Sequence, residues 1–340
     1  MRRVSGGRFC RPTRGNDSSG RLGVPRYDRR MASDDAPVCI PYRNLWKHGP
    51  LPIPLLGDEE GARVSAHLPP VVDAHVHLFP DRVLEAIYRW FHKNAWEIRY
   101  PLQAGAISEY LFSRGISRVV ALHYAHKPGM ARALNHFMAE VCRNEPRVTG
   151  LATVLPGEPG AREILEEAFA LGLAGVKLHC HVQCFSPDSE AMHEVYAACA
   201  QAQRPVVIHA GREPALSSYA CDPYEMCGVE RIEHVLRDHP TLKLCVAHLG
   251  ADEVDGYGRL LERFDHLWLD TTMTLAEFLP MPFPSEVIER RPERILYGSD
   301  FPILPFAWDR ELRNFERLRL TPEQQAQILG QNALQLFGVG

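Results

Sequence analysis

The sequence predicts an α/β protein built as a (β/α)8, or TIM, barrel, with a disordered tail before it and a helix closing it at the C-terminus. Three observations point there. Eight short apolar stretches alternate with amphipathic ones over about 230 residues, the rhythm of parallel strands joined by crossover helices. Ionisable residues recur at the C-terminal ends of those stretches, the rim that carries the active site in such barrels. The turn after the first stretch is Phe79-Pro80, without the glycines that a nucleotide-binding open sheet places there, so the doubly wound sheet ranks second.

In chain order, residues 1–36 are rich in Arg, Gly and Ser and poor in large apolar side chains, too poor to bury the surface that ordering needs. They lack the apolar centre of a signal peptide, and Met31 offers an alternative start. Residues 37–70 are Pro-rich, with a helical patch over 57–67, and are expected to pack on the barrel domain, 71–340. The first strand, 71–78, reads V-V-D-A-H-V-H-L. Strict alternation puts Val72, Ala74, Val76 and Leu78 on one face and Asp73, His75 and His77 on the other. A helix over 81–96 follows, its aromatic residues Trp90, Phe91 and Trp96 read as core or dimer contacts. The next strand–helix pairs are 118–123 with 131–143, 148–155 with 160–171, and 175–182 with 189–203, where Ser189 is a candidate N-cap. Then come 205–210 with 229–237, 242–249 with 257–264, 266–271 with 285–290, and 295–299 with 309–318. A last helix, 322–337, is expected to stop at Gly338.

Composition excludes several classes of function. A hydrophobic share of 45% and a charged share of 24% are those of a soluble globular protein. A net charge of −4 gives no general pull towards nucleic acid or anionic membrane, and no apolar run approaches the ~20 residues of a membrane span. The nine cysteines are odd in number and scattered, with no C-x-x-C pair, which suits reduced thiols in a cytoplasm better than a disulfide framework. Neither G-x-x-x-x-G-K-[ST] nor G-x-S-x-G occurs. A small-molecule substrate is the expected partner, and a homo-oligomer is compatible.

The chemistry lies at the strand ends. His75 and His77 end strand one, and His123 ends strand two. Lys177, His179 and His181 share one face of strand four. His209 ends strand five, His248 strand six, Asp270 strand seven and Asp300 strand eight. Paired imidazoles can grip a divalent cation at about 2.0–2.1 Å. His75, His77 and Asp300 with His209 make a mixed imidazole–carboxylate set suited to zinc, manganese or iron. Asp300 can take a proton from water as a general base, and His248 can polarise a substrate oxygen or shuttle a proton. The long loop 212–227 is expected to cover substrate. Its Arg212 suits a substrate carboxylate, or else a structural contact with Glu213 or Asp222. His126 is a weaker candidate for the pocket.

The segments D-A-H-V-H, G-V-K-L-H, V-I-H-A-G, A-H-L-G and Y-G-S-D-F-P, in this order and with the closing I-L-G-Q-N-A-L-Q-L-F-G, resemble those of the amidohydrolase superfamily, in its amidohydrolase-related branch, over residues 70–337. The resemblance implies metal ligation by His75, His77, His209 and Asp300, with His248 catalytic. Lys177 then has two readings. Carboxylated, it bridges two metals, with the histidines of strands five and six on the second. As an ammonium, it meets a substrate carboxylate or phosphate beside a single ion, the arrangement favoured here. His179 and His181 could be ligands but are read as lining the pocket, with His123 and Arg212 also on the substrate side. The implied activity is hydrolysis of an amide, ester or lactone of a small carboxylated substrate by hydroxide held on the metal, most simply zinc. Non-oxidative decarboxylation of an aromatic or unsaturated acid, found in the same branch, is the alternative.

Overall fold

The computed structural model describes Lys47, Gly49 and residues 51–338; the tail expected over 1–36 lies outside the described residues. Eight parallel strands follow one another in chain order. They are β1 (Val71–His77), β2 (Ile116–Leu122), β3 (Val148–Gly150), β4 (Val176–His179), β5 (Val206–His209), β6 (Leu244–Val246), β7 (Leu267–Asp270) and β8 (Ile295–Leu296). The ladders run β1-β2-β3 and β4-β5-β6-β7-β8. Backbone bonds join the two sheets at both seams. Ala152 N donates to Gly175 O at 2.8 Å and Lys177 N to Ala152 O at 2.8 Å, while Ala74 N donates to Tyr297 O at 2.9 Å and His77 N to Phe301 O at 2.8 Å. The eight strands thus form the ring of a (β/α)8 barrel.

Residues from successive strands meet inside that ring: Val72 and Ala74, Val120 and Leu122, Val207, Cys245 and Leu296 form one buried cluster. Ala333, Leu336 and Phe337 of the C-terminal helix join the same cluster and plug one end. The alternate residues, such as Val119, Val176, Ile208, Val246 and Leu269, pack outward against the helices. Such two-sided burial is why these strands are short and apolar throughout.

The first strand departs from strict alternation. The β1–β2 register shifts between Asp73 and Val76. Val72 and Ala74 therefore face the interior, whereas Val76 and Leu78 belong to the outer layer. A bulge that re-aims side chains is the physical reason. It lets His75 and His77 face inward one step after Ala74 has done so, and it frees Asp73 to hold the backbone N–H groups of His75 (3.2 Å) and Ser299 (3.0 Å).

Helices α1 (Asp81–Asn94) and α2 (Ala104–Ser113) both precede β2. The second was not legible in the sequence, because its apolar residues are not gathered on one face. No helix forms over 57–67. Its acidic residues are instead bonded outward, Asp58 to Arg310 at 3.1 Å and Glu60 to Arg99 at 3.1 Å, and Val64 N donates to Arg114 O at 2.7 Å. The fourth strand is also shorter than expected: after His179 the chain enters a one-turn helix, Cys180–Gln183, so His181 lies on a turn. Gln183 braces this turn by accepting from His179 N at 2.8 Å and donating to the carbonyls of Ala125 (2.7 Å) and Val154 (2.8 Å). His248 likewise lies just beyond β6, at φ 57°, and Asp300 beyond β8, at φ 74°. Among the described residues no helix is long and apolar enough to cross a membrane.

Candidate metal centre

The strand ends deliver their polar side chains to one mouth of the ring. His75, His77 and Asp300 bring their ligating atoms within 4.8 Å of one another. Asp300 Oδ1 lies 3.0 Å from His77 Nε2 and 3.3 Å from His75 Nε2. The outer nitrogen of His75 is fixed: Nδ1 stands 2.9 Å from Asp270 Oδ2, so it donates there and leaves Nε2 as a lone pair facing Asp300. Asp270 Oδ1 also accepts from His248 N at 2.9 Å.

The electrostatics suit ligation. Burial, joined by the Lys177 ammonium, pulls His75 down to about 4, and burial pulls His77 down as well. Both imidazoles are thus neutral at pH 7, the state a cation requires. Burial alone would raise Asp300 and Asp270, but the facing imidazoles outweigh it and hold both carboxyls well below the usual range. His77 Nδ1 is buried without a hydrogen bond. Two neutral imidazoles and one carboxylate at this spacing fit a divalent cation.

His209 is not in this group. It belongs with His179, His181 and Glu213, whose donor atoms also lie within 4.8 Å of one another. Its Nε2 is 2.9 Å from Glu213 Oε1, and its Nδ1 is 3.0 Å from His248 Nε2. The reason is register: His209 pairs directly with His179 across β4 and β5, and the rings stack at 4.1 Å. His248 thus stands between the two groups, its Nδ1 3.0 Å from Thr272 O.

Three expected site residues are absent from the cavity lining. Lys177 is completely buried, its Nζ 3.2 Å from His75 Nε2, and does not line the cavity. Burial lowers it, and Asp270 and Asp300 oppose that as its counter-charges. His123 follows the inward-facing Leu122, so it turns away from the interior; the next residue, Tyr124, lines the cavity instead. Arg212 places its guanidinium 3.0 Å from Glu253, a partner the sequence did not suggest, and stays out of the lining.

The cavity above these groups is about 510 Å³. Its floor is His77, His179, His181, His209, His248 and Asp300, and its walls are mostly apolar and aromatic. Trp90, Phe91 and Trp96 belong to those walls, a correction of the core or dimer reading for Trp90 and Phe91, while Trp96 also packs against the core. Trp90 stacks at 5.5 Å on Tyr219 from the loop after β5, which closes that side. Sequence reasoning also missed Glu213. The only signal was its place four residues after His209, within H-A-G-R-E.

These features define a (β/α)8 barrel with an imidazole–carboxylate cluster at its strand-end rim that could hold a divalent cation. The chain belongs to the amidohydrolase family, whose model matches residues 72–339. No curated relative matches it. Among solved structures it is similar to an uncharacterised TIM-barrel protein from Bordetella bronchiseptica, at 20% identity and a TM-score of 0.62, covering 79% of this chain and 99% of that one. It is also similar to 5-carboxyvanillate decarboxylase from Sphingomonas paucimobilis, at 17% identity and TM-score 0.59, covering 80% and 99%. The 5-carboxyvanillate decarboxylase from Novosphingobium aromaticivorans, complexed with manganese and a nitrobenzoic acid, follows at 16% identity and TM-score 0.58, covering 83% and 99%. At these identities the likeness shows the fold alone.

Proposed function

We propose that the protein is a divalent-metal-dependent, non-oxidative decarboxylase of an aromatic acid. The observation that carries this is the cavity: apolar and aromatic walls lead onto a floor where His75, His77 and Asp300 converge. A flat aromatic ring suits such walls, and its carboxylate suits the floor. The two solved decarboxylases of similar fold, one with manganese bound, support the reading. Arg212, read from the sequence either as a holder of a substrate carboxylate or as a structural contact, faces Glu253.

His75, His77 and Asp300 would hold the ion, and His209, one ring away across His248, is the fourth ligand that the family resemblance implies. When bound, the cation supplies the positive charge that draws the substrate carboxylate to the floor. Manganese, zinc and iron all suit this donor set. His248, which lines the cavity with its Nε2 3.0 Å from His209 Nδ1, would deliver the proton to the ring carbon that loses CO2. The balance is one proton taken up and one CO2 released. The apolar walls exclude water, which favours loss of the carboxylate charge.

Hydrolysis of an amide, ester or lactone at the same centre is the second reading, favoured by the family match. One assay separates the two. The metal-loaded protein is incubated with a panel of hydroxylated aromatic acids and a panel of aryl amides and lactones, and released CO2 and released acid are both measured. CO2 from the first panel is expected. Acid from the second panel without CO2 from the first would overturn the decarboxylase reading.

A further inference from the structure

We infer that Cys184 and Cys221 form a site of reversible oxidation, where peroxide closes a disulfide that ties the loop after β5 to the turn after β4 and so fixes one wall of the cavity. The inference uses neither the metal nor the reaction proposed above.

The fold brings two thiols 37 residues apart in the chain onto one carbonyl. Cys184 caps the C-terminus of the one-turn helix Cys180–Gln183, and Cys221 belongs to the loop 212–227. Cys221 Sγ donates to His181 O at 3.1 Å, and Cys184 Sγ donates to the same oxygen at 3.7 Å. The two sulfurs are also within hydrogen-bond reach of each other. A disulfide brings its sulfurs to about 2.05 Å, a closure left to rotation of the exposed Cys184 side chain. Cys184 itself sits at φ 54°, a left-handed position where glycine or asparagine costs less.

Accessibility separates this pair from the other cysteines. Among the described residues Cys184 is the only exposed cysteine, and Cys221 is half-buried. Cys180 and Cys227 also touch, but both are buried and out of reach of an oxidant. Burial and the Cys184 sulfur push the Cys221 thiol up to about 12, so Cys184 is the thiol that meets the oxidant and Cys221 the one that resolves it.

The chemistry needs only hydrogen peroxide. The Cys184 thiolate attacks one peroxide oxygen, the O–O bond breaks and hydroxide leaves, so Cys184 is oxidised to its sulfenic acid. The Cys221 sulfur then attacks the Cys184 sulfur. The S–S bond forms, the S–O bond breaks and a second hydroxide leaves. The two thiol protons join the two hydroxides, so two thiols and one peroxide give one disulfide and two waters. A dithiol reverses this by exchange: its own thiols become a disulfide, and their protons return to Cys184 and Cys221. An exposed disulfide is the labile kind that such exchange reopens.

The consequence lies in the loop. Tyr219, two residues before Cys221, packs its ring against His181 at 4.8 Å and against Trp90 at 5.5 Å, and its hydroxyl donates to Glu213 at 2.8 Å. Ser218, Tyr219 and Ala220 line the cavity from this loop, and His181 and Val182 line it from the turn after β4. A covalent bond from 184 to 221 holds those two linings together, where the reduced thiols share only a hydrogen-bonded carbonyl.

The test follows the two sulfurs. Full-length protein, reduced and freed of reductant, is treated with a small molar excess of hydrogen peroxide and analysed by intact mass, peptide mapping and hydrogen–deuterium exchange. Wild type is expected to lose two hydrogens, about 2 Da, per chain, to yield a peptide joining 184 to 221, and to recover with dithiothreitol. Amide exchange over 214–222 should slow about tenfold in the oxidised form. Cys221→Ser should stop at the sulfenic acid, captured on Cys184 by dimedone, and Cys184→Ser should form no crosslink, with circular dichroism reporting the fold of each. Wild type whose two thiols stay reduced, or whose Cys184 runs on to the sulfinic acid without a crosslink, would overturn the inference. So would a bond from Cys184 to any other of the nine cysteines or to a second chain, or a 184–221 disulfide that leaves loop exchange unchanged. The wild-type measurements stand even where a variant does not fold.

Discussion

Asparagine at position 270 would remove one charge and one hydrogen bond from the centre while keeping the side chain's shape. Asp270 is 1% exposed and serves three groups: Oδ2 faces His75 Nδ1 at 2.9 Å, and Oδ1 accepts from the backbone N–H of His248 at 2.9 Å and of Thr272 at 3.3 Å. An asparagine that keeps its oxygen on the two backbone donors turns its NH2 towards His75 Nδ1. That nitrogen must then accept, and the ring proton moves to Nε2, the atom facing Asp300. The ligating lone pair is lost. Flipped the other way, the amide keeps His75 in place but sets two donors against each other at His248. Removing a partner of this kind costs about 10–100-fold in metal affinity, or roughly 1.4–2.7 kcal/mol. Loss of a charge-assisted buried bond should lower metal-free folding stability by about 1.5–3 kcal/mol. Affinity is read by competition against a fluorescent chelator, stability by urea melting. The sign with pH is also set. Burial would raise the Asp270 carboxyl, but His75 and His248 hold it far below its unfolded value. Its stabilisation is therefore complete above about pH 4 and is lost as pH falls through the folded value, so the variant should lose less than wild type on acidification. Metal affinity within threefold of wild type would refute the claim that Asp270 sets the His75 tautomer.

Two other changes test the surroundings. Glu311 is 1% exposed and burial raises its carboxyl well above the usual range, so it is protonated in the folded chain at pH values where the unfolded chain has ionised. Wild type should lose stability as pH rises above about 4.3, by up to about 1.4 kcal/mol per unit. Glu311→Gln should remove that slope in thermal melts, and a variant tracking wild type across pH 5–9 would contradict this. Gly298 has no room for a side chain, since a Cβ there would lie 2.5 Å from Thr272 Oγ1 and 2.7 Å from His75 Cβ. Gly298→Ala should displace His75, costing about 1–3 kcal/mol of stability and most of the metal; full metal occupancy would show that the strand end yields without disturbing the ligand.

The barrel was legible because its signals are local. Period-two apolar stretches mark the strands, and histidines and carboxylates at their ends mark the rim. What stayed hidden depends on pairing between distant segments. The bulge in β1 arises where Asp73 reaches Ser299, 226 residues away, and no pattern within V-V-D-A-H-V-H-L announces it. Arg212 meets Glu253, 41 residues further along the chain. Trp90 and Phe91 have the helical spacing of core residues, and that Trp90 instead walls a cavity depends on Tyr219 from the distant loop after β5. Glu213 sits beside the more conspicuous Arg212 and follows no strand end, so its link to His181 and His209 appears only once β4 and β5 lie side by side.

The same long-range bonds explain how two site residues tolerate an unfavourable backbone. His248 and Asp300 both occupy positive φ, a conformation costing on the order of 1–3 kcal/mol for a residue with a side chain. Each is held by a bond to the strand that supplies the metal ligands or their support. Asp300 N donates to His75 O at 2.9 Å, and His248 N donates to Asp270 Oδ1 at 2.9 Å. Asp270 is in turn bonded to the His75 ring. His75 is thus the common point through which the strained positions of Asp300 and His248 are fixed relative to each other. A change that loosens His75 should therefore release both at once, so losses of metal and of turnover should scale together across variants at 75, 270 and 298.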